Sequence, residues 1–298
     1  MIIKTYQELQ FYVEMFRNNN IDLLILEGIG GLSKSRIVEE VMKDKEYLKI
    51  VSHVSPMKLY MLGYEHQNKP IIIDDIDTLL QNDSNVSLLK MFCDTSETKE
   101  INWYTTSEIL EKEGVPSRYE TKSKVVIITN SFKEVTEKIS ALKDRGWLLE
   151  FKPSKQEVLD KMKSLIPLID KELSLEEKEE VYNIIEKYSS VIETLSIRTL
   201  VKGIALYKEC KGRVIDWKSL FLSSLELNSK LVLLDKILRD YLVESERINA
   251  WENAGYSRRN YYEYKLKLGA DVRSSVKDTN TDLYLENGSS LAQGHNSF

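Results

Sequence analysis

The sequence predicts an α/β protein: a parallel-sheet core, then an all-helical stretch, then a small helix-turn-helix-like domain at the C-terminal end. Three observations predict it. Short apolar runs alternate with segments of helical period through the first half. One of those runs ends abruptly in a glycine-rich turn that leads into a helix. Strand patterns stop after Phe151-Lys152-Pro153-Ser154. The 298 residues, 42% hydrophobic and 30% charged, suit about two folded domains and exclude a wholly disordered or fibrous chain.

Each element has a local cause. Tyr6 to Asn18 reads as a helix because Leu9, Tyr12, Val13 and Phe16 recur at spacings of three and four. Leu23-Leu24-Ile25-Leu26, closed by Glu27-Gly28, has the length and abrupt end of a buried parallel strand. A helix follows from Ser35 to Met42. Further buried strands are expected at Leu48 to Val51, Pro70 to Ile73, Lys124 to Thr129 and Trp147 to Phe151, with a shorter one at Ile101-Asn102-Trp103-Tyr104. Strands that alternate with helices imply crossover connections and a parallel sheet covered on both faces. Beyond Pro153, Ser154 with Glu157 and Ser174 with Glu177 have the spacing of capping boxes. Helices are expected at 196–210, 217–227 and 229–243, then two short ones at 246–254 and 257–268. The resulting division is 1–152 as the α/β domain, 153–214 as a helical segment, 215–277 as a second helical domain, and a polar, disordered tail at 278–298.

The glycine-rich turn is Gly28-Ile29-Gly30-Gly31-Leu32-Ser33-Lys34-Ser35, which nearly matches the phosphate-binding loop GxxxxGK[ST]. Backbone N–H groups must curl around phosphate oxygens there, glycines permit the dihedrals, and the helix N-terminus adds partial positive charge. Lys34 would reach the β- and γ-phosphates and the Ser35 hydroxyl would bind Mg²⁺. Ser33 stands where the pattern has its last glycine, and its side chain would crowd the loop or weaken nucleotide binding. Pro70-Ile71-Ile72-Ile73-Asp74-Asp75 is an apolar strand ending in two acids. Asp74 would hold Mg²⁺ through water beside Ser35, and Asp75 would orient or deprotonate an attacking water. This pairing requires the two strands to be neighbours in the sheet, and on non-adjacent strands the proposed role would fall. The bland alternative is a solvated acidic turn. Asn130, which closes the apolar strand from Lys124, reads as a contact to the γ-phosphate or the water, or simply as a turn residue. Arg145 reads as a finger for a neighbouring subunit's γ-phosphate or as a surface ion pair. Arg198, at the start of a helix, reads as a phosphate sensor or as a solvated arginine.

In this order the motifs resemble Walker A, Walker B, sensor 1, arginine finger and sensor 2 of AAA+ ATPases, over about residues 20–210. The pattern is most similar to compact AAA+ proteins of phages and other mobile elements. The resemblance implies a P-loop NTPase core with an α-helical lid, ATP and Mg²⁺ as ligands, and a ring or filament with ATP between subunits. Ser33 and Asp75 depart from the family pattern and put the rate of hydrolysis in question.

The formal charge of −5 argues against a uniform coating of nucleic acid, but its distribution is uneven. Between Arg247 and Lys277, seven basic residues face three acidic ones, a local +4 that leaves −9 elsewhere. Within it, a short helix, a turn at Gly255, a Ser257 N-cap and a second helix make a helix-turn-helix pattern. Arg258, Arg259 and Asn260 lie at the end of the second helix that reaches base edges or phosphates, and Lys265 follows on the same helix. The alternative is a helical cap with a solvated basic face. No window approaches a membrane-spanning length, no signal peptide is visible, and Cys93 and Cys210 are far apart without a nearby histidine. A cytoplasmic protein without disulfides or zinc is therefore expected. Together these readings predict an ATPase that assembles on DNA in replication initiation or helicase loading, with a replicative helicase or another replication or transposition protein as partner. The competing readings are a superfamily 3-like helicase, a transposition regulator, and a scaffold that holds nucleotide without hydrolysing it.

Overall fold

A computed structural model of the chain describes residues 1–51, 53–75, 82–104, 108–130, 142 and 144–269. The chain divides into two compact units, one of Met1–Ser189 with Thr194–Leu225, the other of Ser190–Glu193 with Glu226–Phe298.

The first unit is built on a six-stranded parallel sheet. Its strands are Ile2–Ile3 (β1), Leu23–Glu27 (β2), Leu48–Val51 (β3), Ile71–Asp74 (β4), Val125–Thr129 (β7) and Trp147–Phe151 (β8), in the spatial order β1-β8-β2-β7-β4-β3. Leu23 to Leu26 and Val125 to Thr129 are buried throughout, as the unbroken apolar runs require of central strands covered on both faces. Burying one such leucine or isoleucine contributes roughly 1.5–3 kcal/mol. Helices Tyr6–Arg17 (α1), Lys34–Met42 (α2), Pro56–Glu65 (α3) and Asp83–Phe92 (α4) cover the sheet. α1 starts at a full capping box: the Thr5 hydroxyl accepts from Glu8 N–H while the Glu8 carboxylate accepts from Thr5 N–H. Its buried stripe is Tyr6, Leu9, Val13 and Phe16. A short helix, Ile109–Lys112 (α5), precedes the sheet's return. Lys155–Leu165 (α6), Leu175–Tyr188 (α7), Ile197–Cys210 (α8) and Trp217–Ser223 (α9) complete the unit.

The structure corrects four expectations. Ile101 is buried as foreseen, but its strand is not in the parallel sheet. Lys99–Asn102 (β5) pairs antiparallel with Arg118–Thr121 (β6), and the two form a separate sheet. The alternation of β6, with Tyr119 inward against Tyr60 and Tyr64, is too brief to read as a strand by itself. Second, β2 and β4 are not neighbours, because β7 pairs with both and lies between them. Third, Ser154 caps α6, yet the Glu157 carboxylate leaves the expected box to accept from Tyr6 N–H, 2.8 Å away. The Ser174–Glu177 box forms in full. Fourth, the helices expected at 217–227 and 229–243 stop earlier, at Ser223 and Asp240.

The second unit holds Ser229–Asp240 (α10), Glu244–Asn253 (α11) and Arg258–Leu268 (α12). Trp251 is its fully buried centre, with its indole N–H donating to the Ser257 carbonyl at 3.2 Å. The Tyr256, Tyr264 and Tyr261 rings surround it at centroid distances of 4.8, 6.0 and 6.3 Å. The expected tail at 278–298 lies outside the described residues. No helix among those residues is long and apolar enough to cross a membrane.

Candidate functional site: a glycine-rich loop at the sheet's C-terminal edge

The loop between β2 and α2 is shaped by its glycines and by one residue that is not glycine. A side chain at Gly28 would place Cβ 2.8 Å from the Phe151 carbonyl oxygen, so β8 passes too close for anything larger. Gly31 has φ of +82°, and a Cβ there would stand 2.9 Å from Ser196 Cβ. Leu32, 1% exposed, pins the middle of the loop to the core. Ser33 takes up a left-handed conformation, φ 62° and ψ 23°, and its hydroxyl makes no capping bond. It therefore holds the backbone shape that glycine adopts without steric cost.

Directly after it, Lys34 is buried and its ammonium donates to the loop carbonyls of Gly28 and Ile29, the latter at 2.9 Å. Burial pushes its pKa down to about 8; Asp74 and Glu27 oppose that shift, and the nearby Arg198 adds to it. The next residue, Ser35, donates its hydroxyl to Asp74 Oδ1 at 2.9 Å. The loop crosses the end of β7 to do this, so the serine and the acid meet although their strands are not paired. Neighbouring strands were a stricter condition than the chemistry needs.

A cavity of about 450 Å³ opens here, at the carboxyl ends of β2, β7 and β4, where open α/β sheets bind ligands. The loop from Gly30 to Ser35 lines it, with Asp74, Asp75, Asn130 and Arg198. Gly28 and Ile29 belong to the same loop but not to that lining. Asn130 Oδ1 and Arg198 Nη1 lie 3.5 and 3.7 Å from the point where a Cβ on Gly30 would stand. Asp75 is exposed, has φ of 63°, and donates its N–H to the Ile128 carbonyl at 3.1 Å. Arg198 reaches the loop because α8 is docked on it: Ile197 N–H donates to the Gly31 carbonyl at 2.9 Å.

The donor set suits a magnesium ion that shares its coordination with a ligand. Among the described residues no group of three or more His, Cys, Asp or Glu could cage a metal. Ser35 and Asp74 offer two adjacent oxygens, and Mg²⁺ characteristically completes such a pair with phosphate and water oxygens.

Other candidates lie elsewhere. Arg145 precedes β8, at the opposite end of the strands from the loop, and within this chain it does not reach the cavity. Its Nη1 donates to the Lys90 carbonyl at 2.8 Å and lies 3.8 Å from Asp94. In the second unit, Arg258 and Arg259 are exposed in the first turn of α12, next to Asn260, whose N–H is capped by Ser257 at 3.3 Å. Lys265 is instead bound to Glu244 at 2.8 Å. Sequence reasoning missed Arg36, Val51, Ile197 and Val201, which also line the cavity. Arg36 adjoins the motif and was within reach of inspection; nothing in the local pattern of Val51 or Val201 signals a ligand.

Among known proteins, one solved structure bears on this fold. No family model matches the chain. A 121-residue stretch is 32% identical to the "Uncharacterized 36.7 kDa protein in nrdC-mobD intergenic region" of Enterobacteria phage T4 and covers 38% of this chain and 37% of that protein. The match thus spans little more than a third of the relative's length. Among solved structures, NtrX from Brucella abortus matches with a TM-score of 0.52 and 11% identity, over 88% of this chain and 67% of that one. Domain III of the Thermotoga maritima replication initiation protein DnaA matches with a TM-score of 0.43 and 14% identity, over 74% and 90%. The parallel sheet with its flanking helices matches a P-loop NTPase/AAA+ α/β fold, followed by a C-terminal helical region.

Proposed function

We propose that this chain is an AAA+ ATP-binding protein and a slow ATPase, which assembles as a homo-oligomer on DNA in replication initiation or helicase loading of a mobile element. The observation that carries the nucleotide reading is the meeting of Ser35 with Asp74 beside the buried Lys34, on one cavity at the sheet's carboxyl edge. Backbone amides of the 28–35 loop and the α2 N-terminus would bind the phosphates, and Lys34 would turn from its own loop carbonyls to the β- and γ-phosphates. Mg²⁺ held by Ser35 and Asp74 would neutralise charge on those phosphates. Asp75 would orient or deprotonate the attacking water, with Asn130 positioning it and Arg198 steadying the γ-phosphate from α8. Arg145, remote within its own chain, would act on the nucleotide of a neighbouring copy once freed from the Lys90 carbonyl.

The DNA reading is supported by α11, the turn at Gly255, and α12 with Arg258, Arg259 and Asn260 at its start. Lys265 would serve there mainly as a strut to Glu244. A mobile-element setting is supported by the partial match to a phage protein, and a replicative helicase or another replication or transposition protein is the partner this setting suggests. A second reading, a scaffold that holds ATP without turnover, is favoured by the short, exposed Asp75 in place of a longer base.

The test is to measure ATP binding and phosphate release for the native chain and for Lys34→Ala. The expected result is magnesium-dependent binding and slow turnover in the native chain, both lost in the variant. Equal behaviour of the two proteins rejects the assignment, and tight binding without phosphate release selects the scaffold.

A further inference from the structure

We propose that Arg36 is a further phosphate-binding residue of the cavity, supplementing Lys34 and Arg198; this rests on the nucleotide reading above. Arg36 lines the cavity immediately after Ser35, on the first turn of α2. It is exposed and forms no hydrogen bond or ion pair with another described residue. Its surroundings are otherwise neutralised. Further along and beside the same helix, Glu39 pairs with Lys49, Glu40 with Lys43 and Asp44 with Arg17. Arg36 alone among these charged side chains points to a partner that the described chain does not supply.

The charge at the start of α2 and the charge lining the cavity both mark that partner as an anion. The first turn of α2 carries Lys34 and Arg36 and no acid. Cations at a helix N-terminus are opposed by the partial positive charge of the helix itself, whereas an anion bound at the loop reverses the sign for both. The charges that line the cavity make the same point. Lys34 and Arg198 are formally cancelled by Asp74 and Asp75, so Arg36 supplies the net positive charge available to a polyphosphate. Its guanidinium also fits the chemistry, since a planar fork of donors can bind two phosphate oxygens at once.

The experiment uses the full chain and its Arg36→Ala, Arg36→Lys and Lys34→Ala variants. Calorimetry gives the dissociation constants for Mg-ATP and Mg-ADP, and melting without nucleotide reports the fold. Loss of one charged hydrogen-bonding group predicts an affinity about tenfold weaker for Arg36→Ala, with partial recovery in Arg36→Lys and an unchanged melting temperature. Unchanged affinity in Arg36→Ala beside lost binding in Lys34→Ala overturns the role of Arg36 and leaves the nucleotide site standing. A lowered melting temperature in Arg36→Ala, not recovered by lysine, makes the residue structural and also overturns the proposal. No nucleotide binding by the native chain removes both.

Discussion

Replacing Ser33 by glycine tests the backbone argument at the loop. Ser33 sits at φ 62° and ψ 23°, and no capping bond of its hydroxyl compensates. A left-handed conformation costs an L-residue about 1–2 kcal/mol, which glycine does not incur. Against that gain, glycine loosens the unfolded chain by roughly 0.4–1 kcal/mol. The balance spans about 0–1.6 kcal/mol and centres on about 0.8 kcal/mol, which raises the melting temperature by about 2–3 °C for a domain of 150–250 residues. Differential scanning calorimetry on Ser33→Gly and Ser33→Ala measures it. Alanine removes the hydroxyl but keeps Cβ, so Ser33→Ala must not be stabilised. If the two variants shift together, or if glycine lowers the melting temperature, the strain is not at this backbone position and the reasoning fails. The same pair of proteins separates strain from crowding. Strain present with and without ligand leaves the ATP dissociation constant unchanged, whereas a serine that crowds the phosphate makes Ser33→Gly bind more tightly.

Two further outcomes follow from the site and from the second unit. Because burial holds the Lys34 pKa down at about 8 and a bound phosphate raises it, ATP affinity should be flat below neutral pH. Above pH 8 the free lysine loses its proton and must regain it to bind, so affinity should fall by up to about tenfold per pH unit. Titrations from pH 6.5 to 9.5 test this, and a flat profile would remove Lys34 from the phosphate contact. Trp251→Ala should cost about 3–5 kcal/mol, because a fully buried indole and its bond to the Ser257 carbonyl are both lost. DNA retention in a gel-shift assay should disappear while ATP binding at the loop persists; loss of both, or of neither, contradicts the assignment of the two roles to separate units.

Much of the site was legible because phosphate chemistry constrains neighbours in the chain. The Gly28 to Ser35 spacing, the two acids after Ile73 and the amide after Thr129 sit where one strand end hands over to a turn, and apolar runs mark those ends. Central strands were legible for a related reason: β2 and β7 are buried on both faces, so their runs are unbroken. Two-residue β1 and the alternating β6 offered no such run, and the first is recognised only through its partner β8. Glu157 shows how a correct local pattern can be overruled, since a carboxylate suited to its own cap accepts instead from Tyr6, 151 residues away.

By itself the sequence determined the central strands, most of the helices after Pro153, the loop, its lysine and serine, and the acids that answer them. Only the tertiary structure decided that β7 separates β2 from β4, that α8 bonds to Gly31, that Arg36 borders the cavity, and that Arg145 lies at the far end of the strands. Element type follows from burial repeated along a few consecutive residues, whereas strand order and the meeting of distant side chains follow from which surfaces pack together across the whole chain.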